Sequence, residues 1–137
     1  MFLPINFEDG KLIKLPMYNG GSSATYTVGQ ALTTTSGYYA TATAGMGTDV
    51  EAVCMEAGTV TTNGTELLCV LTRGVRFIAD TNAATIATQV GTYVDLASAT
   101  TLDTTASDDD IFYVESIHYP LSGKQVQGFF QHGTPLA

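Results

Sequence analysis

Two neighbouring apolar runs decide the fold class: Glu66-Leu67-Leu68-Cys69-Val70-Leu71 and, after Gly74, Val75-Arg76-Phe77-Ile78-Ala79. The first run is apolar at consecutive positions, which is typical of a strand with both faces buried. Gly74 interrupts the pattern, and a glycine at such a point predicts a bulge or a sharp bend. Because small barrels close through strands that turn corners at glycines, the two runs predict a small barrel or sandwich.

The rest of the chain also follows the two-residue period of strands. Thr, Val, Tyr and Phe dominate wherever the pattern is regular, while the strong helix formers are sparse. Asn63-Gly64 predicts a type I′ hairpin turn before the first apolar run. The threonines of residues 80–90 favour a loop there over a helix. We predict an all-β chain with little helix, folded as a small antiparallel β-barrel or sandwich of seven or eight strands at a spacing of roughly ten residues.

Composition excludes several classes of function. The 137 residues suffice for one domain. Three lysines and two arginines face 13 carboxylates, giving a net charge of −8, so the chain lacks the cationic surface that binds nucleic acid. No apolar run approaches the length of a membrane span, and the N-terminal residues lack the pattern of a signal peptide. We therefore expect a soluble protein with neither nucleic acid nor membrane as a partner.

The beginning of the chain differs from the rest, and we divide the sequence into an extended arm and hinge, 1–23, and a single β-barrel domain, 24–137. Pro4 and Pro16 argue against ladder pairing within the arm. The arm nevertheless carries large apolar side chains, whose exposure to water is unfavourable. These side chains either fold back over the barrel or dock on another chain. The set consists of Phe2, Leu3, Ile5, Phe7, Leu12, Ile13 and Leu15.

Candidate catalytic residues are few. His118 and His132 are the only histidines, and each fits a structural or solvated role better than that of a base. Cys54 and Cys69 are too far apart for a CxxC motif, and two buried thiols are favoured over a disulfide. We therefore expect that the chain is not an enzyme and that it has no catalytic residue and no cofactor.

The charged residues favour structural roles. Asp108-Asp109-Asp110 indicates a solvated acidic turn rather than a Ca²⁺ site, because the EF-hand spacing is missing. Arg73 and Arg76, the only arginines, are expected to pair with carboxylates within the subunit or across an interface. We expect no bound metal.

Four segments, in their order and residue composition, resemble those of the head decoration, or cement, proteins of tailed bacteriophages. The segments are Tyr26-Thr27-Val28-Gly29-Gln30-Ala31-Leu32, Gly74-Val75-Arg76-Phe77, Val90-Gly91-Thr92-Tyr93-Val94-Asp95-Leu96 and Val126-Gln127-Gly128-Phe129-Phe130. The resemblance, which is to the lambda-type β-tulip proteins, implies a β-barrel that forms a homotrimer on the exterior of the virion capsid. It also implies synthesis in the host bacterial cytoplasm and a role in stabilising the expanded shell. Carried onto this chain, it makes the seven apolar arm residues the anchors that bind the major capsid protein.

A second hypothesis is a carbohydrate- or host-binding β module from a phage fibre or a surface adhesin. The chain has seven tyrosines that could act as stacking platforms, although tryptophan is absent. Binding to glycans without affinity for capsids would favour this second hypothesis.

Overall fold

Strands dominate the computed structural model, which describes residues 1–5, 12–46, 49–117 and 123–132. The prediction of an all-β chain is confirmed, although the described residues form 13 strands rather than seven or eight. The strands are β1 (Phe2–Ile5), β2 (Leu12–Met17), β3 (Ala24–Tyr26), β4 (Ala31–Thr35), β5 (Tyr38–Thr41), β6 (Ala52–Cys54), β7 (Gly58–Val60), β8 (Thr65–Leu71), β9 (Arg76–Thr81), β10 (Tyr93–Ser98), β11 (Thr101–Asp103), β12 (Phe112–Ile117) and β13 (Gln125–Phe130). Between β9 and β10 lies a 3-10 helix, Ala87–Gln89, in the segment where a loop was predicted.

A closed five-stranded barrel forms the first half of the fold, with the strand order β2-β5-β4-β6-β8. Its pairs are antiparallel except β2 with β5, which is parallel. The strands enclose an apolar cluster that includes Met17, Tyr26 and Leu32. The two-stranded ribbon of β3 and β7 contributes Tyr26 to this core.

A six-stranded sheet forms the second half, with the order β1-β9-β11-β10-β12-β13 and a further pairing of β9 with β13. The pairings from β9 through β11, β10, β12 and β13 therefore return to β9 in a closed circuit. The strands β1 and β11 follow one another along a single edge of β9. This sheet covers the larger core, where the rings of Phe2, Phe77, Phe112 and Phe130 pack with Val53 and Val70 of the first barrel.

The bend predicted at Gly74 is confirmed, and it carries the chain from one half of the fold to the other. The N–H of Val75 donates to the carbonyl of Thr72 at 3.2 Å, and Gly74 has a φ of +73°. The two buried faces predicted for β8 are also confirmed. Cys69 belongs to the core of the first barrel, and Val70 belongs to the core beneath the second sheet.

The prediction of a type I′ turn at Asn63-Gly64 is wrong. Gly64 has a positive φ but Asn63 does not, and the turn is closed by the N–H of Thr65 and the carbonyl of Thr62. The preceding strand, β7, pairs with β3, so this turn does not join two partner strands. The β4–β5 hairpin instead has positive φ at both Ser36 and Gly37, as a type I′ turn requires.

The prediction of an extended arm outside the sheets is wrong for the described residues of 1–23. Strand β1 pairs antiparallel with β9, placing Phe2 opposite Ala79. Strand β2 pairs with β8 and with β5, so it closes the first barrel. Both strands therefore belong to the same two sheets as the rest of the chain.

Both prolines fit their strands because neither occupies a position where the main ladder needs an N–H. The N–H of Asp80 donates to the carbonyl of Met1, so Met1 and Asp80 form a hydrogen-bonded pair of the β1–β9 ladder. Bonded and non-bonded pairs alternate along such a ladder, and Pro4, three residues later on an edge strand, therefore belongs to a non-bonded pair. In β2, the N–H of Tyr18 donates to Tyr39 of β5 at 2.8 Å. The nitrogen of Pro16, two residues earlier, therefore also faces away from β8.

Candidate functional site

Two of the seven apolar residues predicted to bind a capsid are buried in the cores. Phe2 has no exposed surface, and its ring centroid lies 5.0 Å from that of Phe130. Leu15 is 7% exposed and packs inside the first barrel. The prediction that these two side chains form part of a docking surface is therefore wrong, because the apolar cores already cover them.

The exposed members of the set lie at two separate places. Leu3 and Ile5 project from β1, with Leu3 40% exposed and Ile5 partly exposed. Leu12 and Ile13, at the start of β2, are 41% and 42% exposed. Phe7 lies outside the described residues. Four of the predicted side chains thus remain accessible to a partner.

The second sheet presents a row of large side chains on the face opposite its core, which we call the outer row: Ile5, Arg76, Phe129, Tyr113 and Tyr93. Ile5 lies opposite Arg76, Tyr113 lies opposite both Phe129 and Tyr93, and continuation of the β9–β13 register places Arg76 beside Phe129. The ring centroids of Tyr93 and Tyr113 are 5.1 Å apart, and those of Tyr113 and Phe129 are 5.2 Å apart. All three aromatic side chains are partly exposed. The row therefore crosses five strands with mostly apolar and aromatic surface.

The charge within the outer row is neutralised locally. Arg76 donates from Nε and Nη2 to the two carboxylate oxygens of Glu115, at 2.9 and 3.2 Å. This bidentate pair confirms the expectation for Arg76. Beside the row, Leu3 lies opposite Ile78 and Ile78 lies opposite Gln127. The outer row, together with Glu115, thus carries no net charge, although the chain as a whole has a charge of −8.

A cleft of about 450 Å³ lies at the Arg76 and Phe129 positions of the row, next to the Gly74 bend. Arg73 is exposed on its rim and has no ion pair among residues 1–5, 12–46, 49–117 and 123–132. His132 also lines the cleft, but its Nε2 lies 3.1 Å from the carbonyl of Val50 and 3.0 Å from Thr72 Oγ1. These contacts hold the His132 side chain between the segments that carry Val50 and Thr72. This confirms the structural role predicted for His132; His118 lies outside the described residues.

The acidic turn is held by a buried carboxylate. Asp95 of β10 is 6% exposed, and its two oxygens accept the backbone N–H groups of Asp108, Asp109 and Asp110, each at 2.9 Å. The turn therefore has a backbone anchor that its sequence alone does not indicate. Within the described part of the chain, no three His, Cys, Asp or Glu side chains are placed to hold a metal ion together.

The two cysteines are free and fully buried, as predicted. Cys54 lies directly opposite Cys69 in the β6–β8 pair. The Cys54 thiol donates to the carbonyl of Glu56 at 3.1 Å, and the Cys69 thiol donates to that of Leu67 at 3.5 Å. The interaction between the two side chains lowers the pKa of Cys54 to about 7, although burial opposes the shift. The same interaction, together with burial, raises the pKa of Cys69.

An ion pair on the first barrel shifts two further pKa values. Lys14 Nζ lies 2.8 Å from Glu56 Oε1, and the N–H of Leu68 donates to the same oxygen at 2.8 Å. The hydrogen bond from Lys14, followed by that from Leu68, lowers the pKa of Glu56. The same contact raises the pKa of Lys14.

Sequence reasoning missed Phe129 and Ile78 as surface residues. Their signal is the alternation along β13 and β9: Val126, Gly128 and Phe130 are buried, so Phe129 must face the other way. The run Val75-Arg76-Phe77-Ile78-Ala79 contains the same alternation, which its overall apolar character obscures.

No helix in the described ranges is long and apolar enough to cross a membrane. The outer row, its ion pair and the adjoining cleft form the candidate functional surface. No protein-family model, no curated protein and no solved structure matches this chain.

Proposed function

We propose that this chain is a non-enzymatic decoration protein that binds the outside of a tailed-phage head and stabilises the expanded shell. The proposal starts from the resemblance of its four segments to decoration proteins. The observation that carries it further is the outer row, because a continuous band of aromatic and apolar side chains with an internally neutralised charge suits a protein partner. Protein interfaces are enriched in aromatic residues and arginine, and their centres are depleted of unpaired charge.

The geometry changes which residues would bind the major capsid protein. Phe2 and Leu15 support the fold, so docking falls to exposed positions of the same two strands. Ile5 lies within the outer row and Leu3 lies beside it. Leu12 and Ile13 supply a second apolar site on the first barrel. We further propose a homotrimer, which would engage the shell at several points and gain avidity. Light scattering should then give a mass of about three times the 14.4 kDa of one chain.

A cosedimentation experiment tests the proposal. Expanded heads would be assembled from the major capsid protein encoded in the same genome, without this chain, and incubated with the purified protein. We expect wild-type protein to sediment with the heads and Leu3→Asp to bind roughly tenfold more weakly, as for a moderate interface hot spot. Thr35→Asp is the matched control, because Thr35 is also exposed but lies on β4 of the first barrel, outside both proposed apolar sites.

Circular dichroism must show that both variants are folded before binding is compared. Failure of the wild-type protein to sediment with the heads would refute the decoration role. Full binding by Leu3→Asp, or equal loss of binding in both variants, would refute the assignment of the interface to the outer row and the Leu3 position beside it.

Binding of a carbohydrate is the second candidate, and a specific observation favours it. Tyr93, Tyr113 and Phe129 form three adjacent, partly exposed rings on one face, and aromatic rings are common platforms for ligands with apolar faces. A glycan array separates the two candidates. Binding of wild-type protein that is lost in Tyr93→Ala, together with no affinity for heads, would favour the carbohydrate module.

A further inference from the structure

We propose that Cys54 and Cys69 are a latent disulfide site, which a peroxide oxidant closes to join β6 covalently to β8. The proposal rests on the geometry of the first barrel and does not depend on what the outer row binds.

The backbone ladder places the two cysteines at a non-hydrogen-bonded pair. The N–H of Met55 donates to the carbonyl of Leu68 at 2.8 Å, and the N–H of Thr72 donates to that of Glu51 at 3.2 Å. Bonded and non-bonded pairs alternate in an antiparallel ladder, so the Cys54–Cys69 pair is non-bonded. The N–H of Cys54 confirms this, because it donates to Gln30 of β4 instead.

This kind of pair suits a disulfide. The Cα atoms of a non-bonded antiparallel pair are about 4.5 Å apart, which lies within the range of about 4.4–6.8 Å that disulfides span. Residues directly opposite each other also project to the same face of the sheet, and both cysteines belong to the same buried cluster. The bond can therefore form without a change of register.

The surroundings favour Cys54 as the attacking thiol. Its lowered pKa increases its thiolate fraction, while the pKa of Cys69 is raised. The Cys54 thiolate attacks an oxygen of hydrogen peroxide and breaks the O–O bond, which gives a sulfenic acid and hydroxide. The Cys69 sulfur then attacks the Cys54 sulfur, the S–O bond breaks and water leaves. The hydroxide takes up the proton that Cys54 released when it ionised, and the proton of Cys69 leaves in the water of the second step. Two thiols and one peroxide therefore give one disulfide and two waters.

Burial defines when the site reacts. Both thiols have no exposed surface, so a small oxidant must enter during local opening of the barrel. A reducing cytosol keeps such thiols reduced, whereas an oxidising medium favours the bond. The chain would then be made as a dithiol and become cross-linked after exposure to oxidant.

Intact-mass measurement of the full chain tests the proposal. After treatment with hydrogen peroxide, we expect a mass loss of about 2 Da and no thiol that reacts with an alkylating agent after denaturation. The melting temperature should rise by roughly 5–15 °C, because the cross-link closes a loop of about 15 residues. Dithiothreitol added to the unfolded protein should restore both thiols and the original melting temperature.

The single variant Cys69→Ala is the control, since it keeps the attacking thiol and removes its partner. We expect no loss of about 2 Da, and oxygen added at Cys54 instead. This oxidation should be slower than that of the wild type, because the variant also lacks the Cys69 interaction that lowers the pKa of Cys54. A wild-type chain that keeps both thiols, gains oxygen atoms on a cysteine, or forms only disulfide-linked dimers would overturn the proposal. Peptide mapping distinguishes oxygen on cysteine from oxygen on the four methionines. These outcomes are read from the wild-type chain, so they hold even if the variant fails to fold.

Discussion

The rings of Phe2 and Phe130, which lie in the first and last described strands, pack with their centroids 5.0 Å apart in the larger core. Phe112 completes the cluster, at 5.1 Å from Phe130 and 6.3 Å from Phe2. Aromatic pairs at such distances stabilise a core beyond the area that they bury. The first strand is therefore part of what holds the second sheet together.

Removing this ring should destabilise the protein strongly. We expect Phe2→Ala to lower the free energy of unfolding by about 3–5 kcal/mol, because it leaves a cavity beside the rings of Phe112 and Phe130. Leu3→Ala, at the adjacent and 40% exposed position, should cost about 1 kcal/mol or less. Urea unfolding followed by fluorescence measures both values. Similar losses in the two variants would contradict the placement of β1 in the sheet.

Asp95 should be essential to the acidic turn. We expect Asp95→Asn to lower the free energy of unfolding by roughly 2–3 kcal/mol. The amide NH₂ of the asparagine would face the N–H of Asp108, which now donates to Oδ2 of Asp95, and two donors cannot form a hydrogen bond. Asp108→Asn is the control, because the Asp108 side chain is exposed and its backbone N–H is retained. The loss in Asp95→Asn should be accompanied by faster hydrogen exchange at the Asp108, Asp109 and Asp110 amides. Unchanged exchange there would show that the carboxylate does not anchor the turn.

Gly128 of β13 lies opposite Val114 of β12, at a position with no room for a side chain. A Cβ added at this position would be 1.8 Å from the carbonyl oxygen of Tyr113 and 2.8 Å from Cε1 of Phe112. The first of these atoms belongs to the backbone and cannot rotate away. We therefore expect Gly128→Ala to lower the free energy of unfolding by about 3 kcal/mol, at the upper end of ordinary overpacking.

Gly58→Ala is the matched control for that substitution. Its added Cβ would approach Cδ2 of Leu67 at 3.0 Å, and the end of a leucine side chain can shift. The melting temperature of Gly58→Ala should stay within a few degrees of the wild-type value. Equal melting temperatures for the two variants would mean that β12 moves to make room.

The all-β class, the bend at Gly74 and the two buried faces of β8 follow from patterns within the sequence, because they depend on local alternation and on one glycine. The placement of β1 and β2 does not follow, since a proline is excluded from a ladder only where its N–H would be needed. Whether Pro4 occupies such a position depends on the register with β9, about 75 residues away. The outer row depends on the same registers, so sequence identified its tyrosines but not their alignment.

The ion pair between Lys14 and Glu56 gives a prediction about pH. The pKa of Glu56 is lowered in the folded chain by the hydrogen bonds from Lys14 and from the Leu68 N–H. A lowered folded-state pKa means that the carboxylate adds stability above the pKa of the unfolded chain, and that this stability is lost as pH falls through the folded-state pKa. Lys14→Met removes the larger of the two causes, so the pKa of Glu56 should rise toward its ordinary value while the Leu68 hydrogen bond remains.

A titration of the side-chain carboxyl ¹³C shifts measures this pKa directly. The stability difference between wild type and Lys14→Met should be greatest near neutral pH and should shrink as the solution becomes acidic. High salt should reduce it as well, because both side chains are solvent-exposed. Lys124→Met, which removes a lysine that is not in contact with Glu56, should leave the pKa of Glu56 unchanged. If Glu56 titrates at the same pH in the wild type and in Lys14→Met, the Leu68 N–H alone holds the carboxylate and the ion pair contributes nothing to it.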